Sequence, residues 1–276
     1  MRPSEVLRHA SGYLERHGVD SPRETAEVLM MAILGTDRAG LHTRSEGLDA
    51  REARMLGRAI RQRCAGTPLQ HLTGEQAFRR ITLEVRPGVF IPRPETETLV
   101  GVALRELGDA EAPVVVDVGT GTGAIALSIK DERPDANVFA TDLSPEAVDL
   151  ARANAAHLGL DVAVFEGDLF DPLPPELRGW VDLVVSDPPY VTPEEYEDLP
   201  AEVRADPKLA LVGGVEVVER LAGVALRWLR DGGVLAVEIG ASQGRDVVRL
   251  LGRSFGDVRI EPDLAGRDRA VVGRRP

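Results

Sequence analysis

The chain has 276 residues, of which 45 are acidic and 33 basic, giving a formal net charge of −12. That length predicts one large domain or two modest ones with room for a core, and 43% hydrophobic with 28% charged residues excludes collagenous, low-complexity and disordered chains. The most apolar run, Leu209 to Leu229, is interrupted by Glu216, Glu219, Arg220 and Arg227, so no membrane span is expected. The first residues reach Arg8 before an apolar signal core can form, and Cys64 is the only cysteine. A reducing, cytoplasmic setting and a monomeric chain are therefore expected. The acidic balance repels a phosphate backbone, which disfavours nucleic acid as a partner.

Residues 1–74 read as a small helical domain. Ser21-Pro22-Arg23-Glu24 has the residues of a capping box, with an apolar stripe of Ala26, Leu29, Met30, Ile33 and Leu34 behind it and Gly35 as the stop. A second helix starts at Asp49 with Glu52 three residues on. It buries Met55, Leu56, Ala59 and Ile60 and ends at Gly66 before Pro68. From 75 to 92 the pattern changes to short alternating runs such as Ile81-Thr82-Leu83-Glu84-Val85, with Pro87-Gly88 as a turn, which predicts a linking β-hairpin.

Residues 93–276 alternate strand and helix. Val114 to Val118, Val138 to Thr141, Val162 to Phe165, Leu183 to Val185 and Val234 to Ile239 are β-branched-rich runs, separated mostly by helical segments such as Pro145 to Leu158. This predicts a doubly wound, Rossmann-like parallel sheet that binds ligands at its strand C-termini. Val258 to Ile260 and Ala270 to Val272 are too close in sequence for a crossover helix, so the last strand should run antiparallel.

The first strand runs into Gly119-Thr120-Gly121-Thr122-Gly123. The glycines are spaced unlike a pyrophosphate-binding loop, and the carboxylate of Asp117 would oppose a phosphate. Asp142 ends the next strand, where a carboxylate accepts from both ribose hydroxyls. Asp168 follows the third strand and could accept from an adenine amino group while Leu169 or Phe170 packs on the ring. Amino-acid, ribose and adenine contacts on three successive strand ends describe an S-adenosyl-L-methionine site.

Ser186-Asp187-Pro188-Pro189-Tyr190 follows the fourth strand. Its prolines fix φ and remove backbone donors. A planar amino group needs two acceptors, which Asp187 and the Pro188 carbonyl can supply while Tyr190 covers the π face. Holding both hydrogens aims the nitrogen at a methyl carbon and stabilises the charge that develops. No metal is expected, because His9, His17, His42, His71, His157 and Cys64 show no ligand spacing.

Asp187-Pro188-Pro189-Tyr190 is similar to the motif of amino-methyltransferases that act on adenine N6, cytosine N4 or a glutamine amide. Pro68-Leu69-Gln70-His71-Leu72-Thr73-Gly74 and Val89-Phe90-Ile91-Pro92-Arg93-Pro94-Glu95-Thr96-Glu97 resemble the release factor glutamine methyltransferases, the HemK/PrmC family. So do Leu199-Pro200-Ala201-Glu202-Val203, Ala210-Leu211-Val212-Gly213-Gly214, Val237-Glu238-Ile239-Gly240 with Gln243-Gly244, and Asp263-Leu264-Ala265-Gly266-Arg267-Asp268-Arg269. The resemblance implies methylation of the glutamine in the Gly-Gly-Gln tip of class 1 peptide chain release factors, with the helical domain helping to grip that substrate. It implies that Gly119 to Gly123, Asp142, Leu169 and Asp187 bind the cofactor, and that Asp187, Pro188, Pro189 and Tyr190 bind and orient the glutamine.

Three positions depart from the family pattern. Asp187 stands where the family has Asn and cannot donate as Asn can; Val215-Glu216-Val217 replaces an Asp-Gly-Leu run; and Leu169 stands where an aromatic is common. Asp187 leaves two other readings open, an adenine N6 methyltransferase and a cofactor-binding relative without activity. The net charge argues against the first, which needs a basic groove for base flipping.

Overall fold

A computed structural model describes residues 2–276. The chain forms two units, Met1–Glu75 with Pro200–Ala205, and Gln76–Leu199 with Asp206–Pro276. No helix among the described residues is long and apolar enough to cross a membrane.

The smaller unit holds α1 (Pro3–Arg16), α2 (Pro22–Leu34), α3 (Arg38–Thr43), α4 (Ala50–Cys64) and α5 (Leu69–Thr73). Leu14, Leu29, Met30, Leu41 and Leu56 fill its core. The capping box at α4 forms as its sequence requires: the Asp49 carboxylate accepts from the N–H groups of Arg51 and Glu52 at 2.7 Å, and Glu52 accepts from the Asp49 N–H at 2.8 Å. The equivalent residues at α2 do not form one. Ser21 sits in the left-handed region at φ 47°, and its hydroxyl caps no N–H. Met55, expected in the core, is exposed on the outer face of α4. The segment Pro200–Ala205 belongs to this unit, where Glu202 accepts from Arg63 at 2.8 Å.

The hairpin β1 (Glu75–Phe78) and β2 (Ile81–Glu84), which belongs to the larger unit from Gln76 onward, turns at Arg79 rather than at Pro87-Gly88. Expected as a separate link, the hairpin instead contributes Phe78, Ile81 and Leu83 to the core of the larger unit. Next come α6 (Thr96–Leu107), β3 (Val114–Val118), α7 (Ala124–Glu132), β4 (Asn137–Asp142), α8 (Pro145–Leu158) and β5 (Val162–Glu166). The remaining elements are β6 (Val181–Ser186), α9 (Pro193–Glu197), α10 (Lys208–Leu211), α11 (Val215–Ala225), β7 (Leu229–Glu238), α12 (Gly244–Leu251), β8 (Gly256–Pro262) and β9 (Asp268–Arg274).

The seven-stranded sheet has the order β5-β4-β3-β6-β7-β9-β8. Strands β3 to β7 are parallel, and β9 lies antiparallel between β7 and β8. Runs such as Val114–Val118 are almost wholly apolar because helices cover both faces of the sheet. The chain moves outward from β3 through β4 to β5, then returns to place β6 on the other side of β3. That reversal opens a crevice at the C-terminal ends of β3 and β6, the position where open α/β sheets bind ligands.

Candidate active site

The glycine loop leaves β3 at this crevice. Gly119, Gly121 and Gly123 all have positive φ, at 75°, 57° and 87°. A Cβ built on Gly123 would stand 2.8 Å from Leu127 Cδ1, so this glycine lets α7 pack closely. A Cβ on Gly119 or Gly121 would meet nothing within 4 Å, leaving open space beside the backbone. The loop's N–H groups turn inward: Gly119 and Thr120 donate to the Thr141 carbonyl at 2.8 and 3.0 Å, Gly121 to Asp142 at 2.8 Å and Gly123 to the Thr120 carbonyl at 2.9 Å. With these donors spent, the loop does not form the N–H nest that a phosphate requires. The side chains of Thr120 and Thr122 are buried, so both positions present backbone outward.

Asp117 is fully buried beneath the loop, and its Oδ2 accepts from Thr120 Oγ1 at 2.6 Å and the Ala126 N–H at 3.2 Å. Its Oδ1 has no hydrogen-bond partner, and burial pushes the carboxyl up to about 7. Asp142 accepts from Gly121 on Oδ2 and from the Ser144 N–H on Oδ1 at 2.9 Å. Burial also raises this carboxyl. A carboxylate has about four acceptor positions, so Asp142 retains capacity for further donors.

At the end of β5, Leu169 is held at φ 46°, a costly left-handed conformation for a branched side chain. Phe170, one of the two residues expected to cover a base, is instead buried in the core and stacked on Trp228 at 5.4 Å between ring centroids. Of the pair, only the half-buried Leu169 is accessible. Asp168 does not stand alone as an acceptor, because its Oδ2 accepts from the exposed Arg220 guanidinium.

The Asp187-Pro188-Pro189-Tyr190 loop is fixed on both sides. Ser186 Oγ donates to the Val118 carbonyl at 2.7 Å, tying the end of β6 to the end of β3. Beyond the loop, the Val191 N–H donates to the Leu211 carbonyl at 3.0 Å, and the Gly213 and Gly214 N–H groups donate to the carbonyls of Val191 and Pro189 at 2.9 and 3.1 Å. Gln243 donates to the Tyr190 carbonyl at 2.9 Å and accepts from the Gly240 N–H at 3.0 Å. Gly213 is required by proximity, since a Cβ there would stand 2.1 Å from the Pro189 oxygen. Arg93 reaches the buried Asp206, which also accepts from the Ile91 N–H at 3.2 Å.

Sequence reasoning assigned no role to the side chains packed around Asp187. Thr96, at the first turn of α6, donates to Asp187 Oδ2 at 3.4 Å. Glu238, at the end of β7, is 1% exposed and places Oε1 3.7 Å from Arg269 Nη1, while its Oε2 has no hydrogen-bond partner. Burial pushes Asp187 up to about 7, and burial together with the neighbouring Asp187 pushes Glu238 well above the usual range. Burial and these carboxylates also raise the Tyr190 hydroxyl, keeping it protonated at neutral pH. Glu238 and Arg269 lay within motifs quoted for the family resemblance, but nothing in their spacing linked them to Asp187.

The PrmC N-terminal domain model matches residues 5–74, and the methyltransferase small domain model matches residues 80–203. The release factor glutamine methyltransferase of Deinococcus radiodurans is 42% identical over 281 residues, covering 100% of this chain and 99% of the relative. That of Mycolicibacterium smegmatis is 44% identical over 280 residues, covering 98% and 96%. A 16S rRNA N2 methyltransferase of T. Thermophilus, solved in complex with AdoMet and guanosine, superposes with a TM-score of 0.56 at 20% identity, over 73% of this chain and 50% of that one. The last similarity places the sheet among methyltransferase folds. With full-length relatives above 40% identity and both domain models matched in order, the chain belongs to the release factor glutamine methyltransferase family.

Proposed function

We propose that this chain transfers a methyl group from S-adenosyl-L-methionine to the side-chain amide nitrogen of the glutamine in the Gly-Gly-Gln tip of class 1 release factors. The observation that carries the reading is the loop Asp187–Tyr190, pinned by Ser186 to the strand that bears the glycine loop. In this reading the loop supplies two amide acceptors beside the residues assigned to the cofactor.

Those residues fit the cofactor. The space beside Gly119 and Gly121 would admit its amino-acid portion, the remaining acceptor positions of Asp142 suit ribose hydroxyls, and Leu169 would pack on the base. Asp168 accepts from the adenine amino group only as far as its pairing with Arg220 allows. When bound, the cofactor supplies a methyl carbon on a positively charged sulfur. Asp187 and the Pro188 carbonyl each accept one hydrogen of the glutamine amide, which aims the nitrogen and restrains its rotation. As the nitrogen would form its bond to the methyl carbon, the carbon–sulfur bond would break with its electron pair going to sulfur, leaving S-adenosyl-L-homocysteine; the nitrogen becomes cationic, and the carboxyl-rich surroundings stabilise that charge. The proton is then shed from nitrogen without a strong base, since a cationic amide is acidic. Tyr190 stays a neutral phenol and covers the amide face. No metal is assigned a part. The helical unit, matched by the PrmC N-terminal model, is assigned recognition of the protein substrate in the cytoplasm.

Incubation with labelled S-adenosyl-L-methionine and an unmethylated release factor tests the proposal, with a Gly-Gly-Ala tip as control and the label located by peptide mass. A methyl group on the tip glutamine, absent from the control, is expected. Cofactor binding without transfer to that glutamine would overturn the assignment.

A further inference from the structure

The register of the sheet sets two carboxyl groups side by side. Ser186 of β6 pairs with Val237 of β7, so the next residues, Asp187 and Glu238, leave neighbouring parallel strands at the same edge. Thr96 approaches from α6, its hydroxyl donating to Asp187 and lying against Glu238. One hydroxyl proton cannot serve two carboxylates at once.

The groups facing the pair do not neutralise it. Thr96 faces it from α6, Arg93 and Glu95 from the preceding segment, Asp117 from β3, Tyr190 from its own loop and Arg269 from β9. Both arginines are shared: Arg93 pairs with Asp206, and Arg269 pairs with Asp263 at 3.3 Å as well as with Glu238. Glu238 is buried with Oε2 unpartnered, a costly state for an anion and one that a proton relieves.

We propose that Asp187 and Glu238 hold one proton between them through the Thr96 hydroxyl, Glu238 donating to Thr96 Oγ1 and Thr96 donating to Asp187 Oδ2, which leaves the other Asp187 oxygen to accept from the substrate amide. This rests on the glutamine reading above and deepens it: Glu238 is a positioning residue, acting through Asp187, and Arg269 holds Glu238. In place of the family's Asn, Asp187 is then an acceptor whose bond from Thr96 depends on the proton held by Glu238. The state active in transfer is the singly protonated pair, and raising the pH removes its proton.

The first test is the pH dependence of methyl transfer to an unmethylated release factor. The parent enzyme should gain rate as the pair loses its first proton near 7 and lose it again only where Glu238 gives up the second, well above its ordinary range, whereas Asp187→Asn should transfer methyl without the rise near 7. Glu238→Gln, whose amide can donate to Thr96 but cannot lose that proton, should keep the rise near 7 and lack the alkaline fall. A Glu238→Gln enzyme that is slower at every pH with the fall unmoved would show Glu238 to be merely structural and overturn the proposal. The second test needs neither variant nor substrate: carbon NMR of labelled Asp and Glu carboxyls in the parent protein. An Asp187 resonance titrating near 7 supports the pair, and titration near the ordinary 3.8 overturns it. Should the pair titrate as proposed while no release factor is methylated, the glutamine reading fails and the carboxyl pair stands.

Discussion

Gly213→Ala separates the placement of the reacting loop from cofactor binding. The new Cβ would stand 2.1 Å from the Pro189 carbonyl oxygen, 2.9 Å from its carbonyl carbon and 3.0 Å from Val217 Cγ2. A close carbon–oxygen contact is about 3.3 Å, so the two backbones must part by about 1.2 Å. Neither is the end of a flexible side chain, and the Gly213–Val191 and Gly214–Pro189 hydrogen bonds join the same two strands of chain. Retreat of Pro189 therefore drags Asp187 to Tyr190. A misplacement of about 1 Å at a reacting centre costs on the order of 100-fold in rate, and overpacking costs about 1–3 kcal/mol of stability. Single-turnover transfer at saturating cofactor should thus slow by about 100-fold. Cofactor affinity, measured by calorimetry, should fall far less than the rate, because the loop from Gly119 to Gly123, Asp142 and Leu169 are untouched. Gly223→Ala is the control: its Cβ meets nothing within 4 Å on the exposed face of α11, and it should add about 0.5–1 kcal/mol of helix stability without a change in rate. A Gly213→Ala enzyme within about threefold of the parent rate would refute the claim that the glycine is there to bring the two segments together.

Two further predictions concern buried carboxyls. Arg93→Ala strips the guanidinium from Asp206, whose side chain is 0% exposed, and should cost about 2–3 kcal/mol in urea denaturation; a loss below about 0.5 kcal/mol would mean that the pair contributes little. Asp117 is raised from 3.8 to about 7 in the fold, so between those values the folded state keeps a proton that the unfolded state has released, and stability falls as pH rises from about 4 to 7. Asp117→Asn can keep the Thr120 and Ala126 hydrogen bonds through its amide oxygen, and should gain on the parent protein with rising pH by up to about 1.4 kcal/mol per unit. A stability difference that stays constant from acid to neutral pH would refute this.

The strands were legible because burial on both faces demands uninterrupted β-branched runs; Val114 to Val118 has the same limits in sequence and structure. Caps were legible only in part. Asp49 and Ser21 both precede a glutamate at the third helical position, yet Ser21 adopts a left-handed backbone that takes its hydroxyl away from the first turn. Local patterning likewise could not decide between Leu169 and Phe170 as the accessible residue. That choice depends on Trp228, distant in sequence, which draws Phe170 into the core. The loops at 119–123 and 187–190 were legible because their chemistry is contained in a few consecutive residues. Thr96, Glu238 and Arg269 come together only through the pairing of β6, β7 and β9 and the arrival of α6 at their edge, which no short window reports.

That non-local setting changes what the residue at 187 means. Taken alone, Asp in place of Asn exchanges a neutral donor and acceptor for an anion, and the anion would favour a cationic transition state while forfeiting a donor. In the fold, Asp187 shares its strand edge with Glu238, and Arg269 is divided between Glu238 and Asp263. Two full negative charges at that edge would lack two dedicated cations, so retaining one proton there lowers the cost of burial. The edge then carries about one net negative charge, as Asn beside an ionised Glu238 would. The two residues thus present similar electrostatics while Glu238 holds its proton or its single charge, and diverge at higher pH, where only the carboxyl pair can become doubly negative.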